Sequence, residues 1–327
     1  MRRGALRFLA VLLSAALVVV GCGEDSAAPS GQNLTALRVA MFPAGATLPV
    51  HAAITKRFFE RSGLRIELTE GQDLPVFMAA LAKGQYDIAQ GVPTLVLIGA
   101  ERGLDLQIVS SIQRSSRKRP NGVWITKDPS IDSVAQLEGK TIGVPSLTGI
   151  LTDSMVYLLQ RSGVERNEVK FVATPFPSMG DQLEAGRVDA VVATIPFSSA
   201  IAARGFRLHD DVIVEAVRDA SDGAVETAMT SVWDTSRTFA KEHPETIVAW
   251  RKTLTEAIAF LNGNESDARV MMQEWLKIPA EVAQRAPLPD WAVEITPHEL
   301  APYITISKAV GSTKTDPDVN SLVWQGP

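Results

Sequence analysis

The chain has 327 residues, 46% of them hydrophobic, and a formal net charge of −5 at neutral pH. That hydrophobic content can fill real cores, which excludes a disordered or low-complexity chain, and the acidic balance argues against a nucleic-acid partner. A single cysteine, Cys22, excludes an intramolecular disulfide and a Cys-ligated metal site.

In chain order, Met1-Arg2-Arg3 is a basic start, Phe8 to Val20 an apolar stretch, and Gly21 a small residue ahead of Cys22. The pattern predicts a secretory signal peptide over residues 1–21, too short for an ordinary membrane span. It resembles a bacterial lipobox, which implies lipidation of Cys22, removal of the peptide before it, and anchoring by lipid to the cell membrane on its extracytoplasmic face. A plain signal peptide with a chance cysteine is the alternative, and the residues around Arg2-Arg3 fit the twin-arginine export motif poorly. Loss of Arg2, Arg3 and Arg7 with the signal takes the net charge from −5 to −8. Residues 22–36 read as a flexible polar tether, so the fold should start near Leu37. Roughly 290 folded residues exceed the usual single core, which predicts two lobes.

Leu37 to Met41 reads as a strand. Val50, Ile54 and Phe58 then recur at helical spacing until Gly63. Leu64 to Leu68 alternates as a strand, Pro75 opens a helix that runs to Gly84, and Tyr86 to Ala89 is a third strand. Strands alternating with helices predict an α/β fold with a mostly parallel sheet flanked by helices. The strand Leu106 to Gln113 leads to a polar, basic turn over Ser115 to Gly122.

A second set follows Val123 to Thr126: strand Thr141–Val144, helix Ile150–Gln160, strand Val169–Val172, helix Met179–Ala185 and strand Val188–Ala193. Leu81-Ala82-Lys83-Gly84-Gln85-Tyr86-Asp87-Ile88 is echoed by Leu183-Glu184-Ala185-Gly186-Arg187-Val188-Asp189-Ala190, each at a helix-stop-strand junction. Thr227 to Val232 reads as a returning strand, and Ile247, Trp250, Leu254, Ile258 and Leu261 mark one face of a long helix. The expected lobes are 37–123 plus 227–327, discontinuous, and 124–226.

Asp132 to Val144, Gly186 to Ala190 with Pro196-Phe197, and Phe239 to Glu245 resemble the solute-binding proteins of ABC importers. The likeness is to the group serving alkanesulfonates, taurine, nitrate, aromatic acids and thiamine-pyrimidine precursors. It implies a two-lobed periplasmic-binding-protein-like fold of type II that closes by a hinge on a small-molecule ligand. A permease and its ATPase would be the partners, the protein would be a monomer, and no cofactor, metal or catalysis is implied.

In open α/β sheets ligands sit beyond the carboxyl ends of the strands, beside helix N-termini. Four strand-end loops there offer glycine, hydroxyl and aromatic groups. Their candidate ligand residues are Phe42, Ala44, Gly45, Gly91, Thr94, Ser146, Thr148, Gly149, Thr194 and Phe197. The resemblance carries Phe42, Thr94, Ser146, Thr148 and Phe197. Ser146 or Thr148 could equally cap the helix near Ile150, and Ser178 its own helix. Arg114 could clamp a carboxylate or sulfonate, or belong to a solvated basic turn with Arg117, Lys118 and Arg119. Hydroxyls and helix ends point to an anionic head group, a sulfonate or an aromatic carboxylate. A nitrogenous aromatic such as a thiamine-pyrimidine precursor is the alternative, and a lipoprotein that senses a ligand without transport is another.

Enzyme signatures are missing. His51, His209, His243 and His298 are scattered without metal spacing, and no phosphate loop or nucleophile elbow occurs. Some relatives of the thiamine-pyrimidine group are enzymes with a cysteine-rich motif, which this chain lacks. Asp87 and Asp189 start strands away from the cleft and read as structural, as do Trp275, Trp291 and Trp324.

Overall fold

The computed structural model describes residues 34–327; the predicted signal peptide, Cys22 and most of the tether lie outside them. Thr35–Met41 (β1) begins two residues ahead of the expected strand and pairs in parallel with Leu64–Glu70 (β2) and Ile88–Gly91 (β3). Gln107–Ser116 (β4) leads across to Val123–Thr126 (β5), Thr141–Val144 (β6), Lys170–Ala173 (β7), Ala190–Ala193 (β8) and Arg207–Asp211 (β9). The chain returns through Thr227–Thr235 (β10), and Asp290–Trp291 (β11) adds an edge.

The two sheets are built in the same order. The first runs β11-β4-β10-β3-β1-β2 and the second β7-β6-β8-β5-β9. In each, three parallel strands are extended by antiparallel ones, because β10 and β5 carry the chain between sheets and arrive in the opposite sense. The eight-residue echo has a physical cause in this repeat. Gly84 and Gly186 both end a helix in the left-handed region, at φ 69° and 66°. The next aspartate then grips one residue of the neighbouring strand with both its N–H and its carboxylate. Asp87 N–H donates to the Arg38 carbonyl, and its carboxylate accepts from Arg38 N–H; Asp189 does the same with Thr141.

One apolar core runs from Met78, Leu81 and Leu97 to Met155 and Leu159, and includes Tyr303 and Ile306. The helix Ala301–Ala309 packs on the helices Pro93–Glu101, Ile150–Arg161 and Val212–Ala220, so the C-terminal segment touches elements of both sheets. The other face of the first sheet is covered by the helix Pro244–Gly263, whose Trp250 stacks on Phe59 and meets Trp233 edge-on. That demand also breaks the helix expected to run unbroken to Gly63. Arg57 turns left-handed at φ 58° between Leu48–Thr55 and Phe58–Arg61, which swings Phe58 and Phe59 inward. Among the described residues no helix is long and apolar enough to cross a membrane.

Candidate functional site

A cavity of about 530 Å³ lies beyond the carboxyl ends of the strands, within the size range of small-molecule sites. The loops after β1, β3, β6 and β8 line it through Phe42, Val92, Gly149 and Thr194. Two of these loops start helices whose N-termini face each other. A Cβ on Gly149 would sit 3.8 Å from Val92 Cγ2 and 4.0 Å from Leu95 Cγ. Val92 caps the helix Pro93–Glu101 and Gly149 caps Ile150–Arg161, and neither supplies a side-chain hydrogen bond. The helix Ile150–Arg161 thus leaves the N–H groups of its first turn, Ile150 to Thr152, open with the positive end of the helix dipole behind them, whereas at the other helix Pro93 has no N–H and Leu95 N–H donates to the Val92 carbonyl, so only Thr94 N–H is left. The third helix at the rim differs: Asp73 caps Leu74–Leu81 by accepting from Val76 N–H.

Phenyl rings form one wall. Phe42 lies 5.6 Å from Phe176, and Phe176 stacks on Phe197 at 5.3 Å with the planes 7° apart. Phe42 and Phe176 line the cavity and Phe197 backs them at the start of its own helix, Phe197–Ala202.

Of the expected site residues, Phe42, Ala44, Ser146, Thr148, Gly149 and Thr194 line this cavity. Neither Ser146 nor Thr148 caps the neighbouring helix; Ser146 holds the loop by accepting from Thr148 N–H and, through its carbonyl, from the Thr152 hydroxyl. Ser178 occupies the cap position of Met179–Glu184, but its hydroxyl donates to the Pro175 carbonyl. Five residues sit elsewhere. Gly45 approaches the opposite loop, Thr94 is fully buried, and Phe197 lies behind Phe176. Gly91 makes room for protein: a Cβ there would lie 2.0 Å from Asp234 Oδ2 and 2.9 Å from Met78 Sδ. Arg114 is taken by an ion pair with Glu299 and donates to the Glu294 carbonyl at 2.9 Å, so its guanidinium is engaged away from the cavity. The basic turn is likewise paired, Arg117 with Glu215 and Arg119 with Asp290.

Sequence reasoning missed the floor. Gln90, Gln113, Asn121, Thr230 and Ser231 line it from β3, β4, the first crossing and β10. Gln90 Oε1 accepts from Phe42 N–H at 2.8 Å, and Asn121 Oδ1 from Ile195 N–H at 3.3 Å. The side-chain oxygens of Gln113 and Ser231 are buried without a hydrogen-bond partner among the described residues. The available signal was polar residues at interior positions of otherwise apolar strands. No lysine or arginine lines the cavity among the described residues.

Behind the two helix ends lies Asp153, nearly buried, which accepts from the Ser312 hydroxyl at 3.0 Å. Burial pushes its carboxyl up to about 6, against the hydroxyls of Ser312 and Thr94, which pull it down. An acid whose pKa is raised on folding stabilises the native state below its unfolded value and loses that contribution as pH rises through the folded one. Stability should therefore fall between pH 4 and 6 by on the order of 2–3 kcal/mol from this group. Melting curves across that range should show the stability of the native chain falling relative to that of Asp153→Asn.

Residues 46–268 match the family model described as NMT1/THI5 like. The chain is 24% identical over 215 residues to a protein named as an ABC transporter periplasmic binding protein in Brachyspira hyodysenteriae. That match covers 61% of this chain and 60% of the relative, less than two thirds of its length. It is 23% identical over 261 residues to a protein named as an aliphatic sulfonates-binding protein in Bacillus subtilis, covering 77% and 73%. In three dimensions it is similar to the aliphatic sulphonate binding protein SsuA of Escherichia coli, with TM-score 0.71 at 17% identity over 89% of this chain and 92% of that one. The nitrate-binding protein NrtA of Synechocystis PCC 6803 gives TM-score 0.71 at 13% identity, covering 89% and 86%. Sheet order, cleft position and the family model agree: the chain belongs to the NMT1/THI5-like family.

Proposed function

We propose that this protein is the extracytoplasmic solute-binding component of an ABC importer. It captures a small organic anion, a sulfonate or an aromatic carboxylate, and delivers it to a permease powered by an ATPase. The observation that carries the anion is the open N-terminus of the helix Ile150–Arg161 at Gly149, set against the helix start at Val92 and beside a phenyl wall. The similarity to proteins named for binding sulfonates and nitrate supports the same class. The protein acts as a receptor without catalysis, anchored by lipid at Cys22. Its lobes, 37–123 plus 227–327 and 124–226, hinge at the two crossings, and ligand contacts from both favour the closed state.

A second reading, a nitrogenous aromatic ligand, is favoured by the carboxamide floor and by the absence of a lining lysine or arginine among the described residues. A thermal-shift screen against alkanesulfonates, taurine, benzoates, phthalates, nitrate and pyrimidine precursors decides between them. A ligand at a hundred times its dissociation constant stabilises by about 2.7 kcal/mol. Shifts with sulfonates or benzoates are expected; shifts confined to neutral heterocycles would replace the anion by the second reading.

A further inference from the structure

The cavity is chemically two-ended. Strand order β4-β10-β3 and the pairs Ser231–Gln113 and Val232–Gly91 put Gln113 two strands away from the loop that starts at Gly91. Two strand spacings amount to about 10 Å. At one end stand the helix starts at Val92 and Gly149, the latter with its first-turn N–H groups open; toward the other, Ser231 on the intervening strand and Gln113 one strand beyond it, 6% and 1% exposed, line the cavity with side-chain oxygens that have no partner among the described residues. Buried polar groups are ordinarily hydrogen-bonded, so an unmet carboxamide in a ligand cavity marks a contact that the ligand completes. Gln90 and Asn121, by contrast, each have their oxygen engaged by a backbone N–H.

From this we infer, building on the anion reading above, that the ligand is an elongated organic anion whose far end is uncharged and offers a hydrogen-bond donor and acceptor side by side. A carboxamide presents both functions, and its best complement is another amide-like edge: a primary amide, a urea or a lactam ring. The far end is neutral because no lysine or arginine among the described residues lines the cavity, and the acid at the rim, Asp73, caps a helix. Size points the same way. A small inorganic oxyanion would leave most of the space to water at about 30 Å³ per molecule. The phenyl wall of Phe42 and Phe176 suits a flat spacer between the two ends.

Titration calorimetry with three probes tests this: 4-carbamoylbenzoate, 4-ethylbenzoate of similar length with an apolar end, and benzamide. The native protein should bind 4-carbamoylbenzoate at least tenfold more tightly than 4-ethylbenzoate, and Gln113→Leu should erase that preference. Ser231→Ala removes one hydroxyl from the same floor and should reduce the preference severalfold, so a poorly folded Gln113→Leu does not decide the matter. Equal binding of the two benzoates, or a preference that survives both variants, overturns the inference and leaves the anion reading intact. Benzamide bound as tightly as 4-carbamoylbenzoate overturns the anion reading, and the elongated anion with it. Failure of all three probes to bind overturns the inference, while shifts with alkanesulfonates in the screen would still uphold the reading it rests on.

Discussion

Replacing Asp211 by alanine should lower the unfolding temperature by roughly 5 °C. Asp211 ends β9 with its side chain buried at 3% exposure, and its carboxylate is the acceptor for five donors. Oδ1 accepts from Ile213 and Val214 N–H at 2.9 and 3.1 Å, capping the helix Val212–Ala220. Oδ2 accepts from Asn121 and Gly122 N–H at 2.7 and 2.9 Å and from the Ser115 hydroxyl. The first pair lies where the chain starts back toward the first sheet, the second group where it leaves it. One carboxylate therefore ties both crossings together. Loss of the cap costs about 1 kcal/mol; Asn121 N–H keeps the Ser115 hydroxyl at 3.0 Å, but the buried Gly122 N–H left without an acceptor costs about 1–3 kcal/mol more, giving about 2–4 kcal/mol in all. Asp211→Asn should fall between, since its amide keeps one accepting oxygen. Calorimetric melting of the three proteins checks the order; a loss below about 1 kcal/mol for the alanine variant, the size of a lone cap, would show that the crossings are held by other contacts.

Asp211 also marks where the sequence stopped being informative. His209-Asp210-Asp211 looks like a solvated acidic run, and nothing local says that its last carboxylate turns inward to meet residues 115–122. That partnership is long-range and exists only after β5 has paired with β9. The α/β alternation was legible because burial on both strand faces imposes it residue by residue. The Gly84–Asp87 and Gly186–Asp189 echo was legible because the same helix-stop-strand junction is built twice with the same backbone grip. At the site, the loops after β1, β6 and β8 could be found from topology, since strand ends face the cleft in any such sheet. Gly91 could not be assigned from sequence: a glycine beside a ligand and a glycine beside Asp234 look alike until the other strand is in place. Arg114 could not be assigned for a related reason. A guanidinium near a hinge suits an anion, and its partner Glu299 lies 185 positions away. Gln113 and Ser231 escaped because strand alternation weighs apolar positions and ignores which polar ones face inward.

Gly45→Val should weaken ligand binding tenfold or more, with only a modest drop in the melting temperature of the unliganded protein. Glycine is required here by proximity rather than by backbone angle. A Cβ at this position would lie 3.1 Å from Pro289 Cγ and 3.3 Å from the Ile195 carbonyl oxygen. Ile195 follows β8 of the second sheet, whereas Gly45 follows β1 of the first, and the Gly45 carbonyl is fixed by accepting from Trp291 Nε1 at 2.9 Å. The contact therefore closes the gap between strand-end loops of the two sheets beside the cavity. Valine places two further methyl groups against the Ile195 backbone, which cannot move aside as a side-chain tip can, so the loops meet only at a larger separation. An open arrangement relieves the clash with Ile195, whereas the contact with Pro289 Cγ, next to β11 of the same sheet as β1, stays and must be met by a small shift of the proline ring. Apparent affinity falls in proportion to the population of the closed, binding-competent state, and a tenfold loss corresponds to about 1.4 kcal/mol against closure. Gly45→Ala, whose Cβ needs only a few tenths of an ångström, should lose less. Calorimetric titration of the three proteins with the sulfonate or benzoate that most stabilises the native chain measures the effect. Native-like affinity in the valine variant would mean that the ligand is held without the two loops coming together, and that the hinge motion is not coupled to binding.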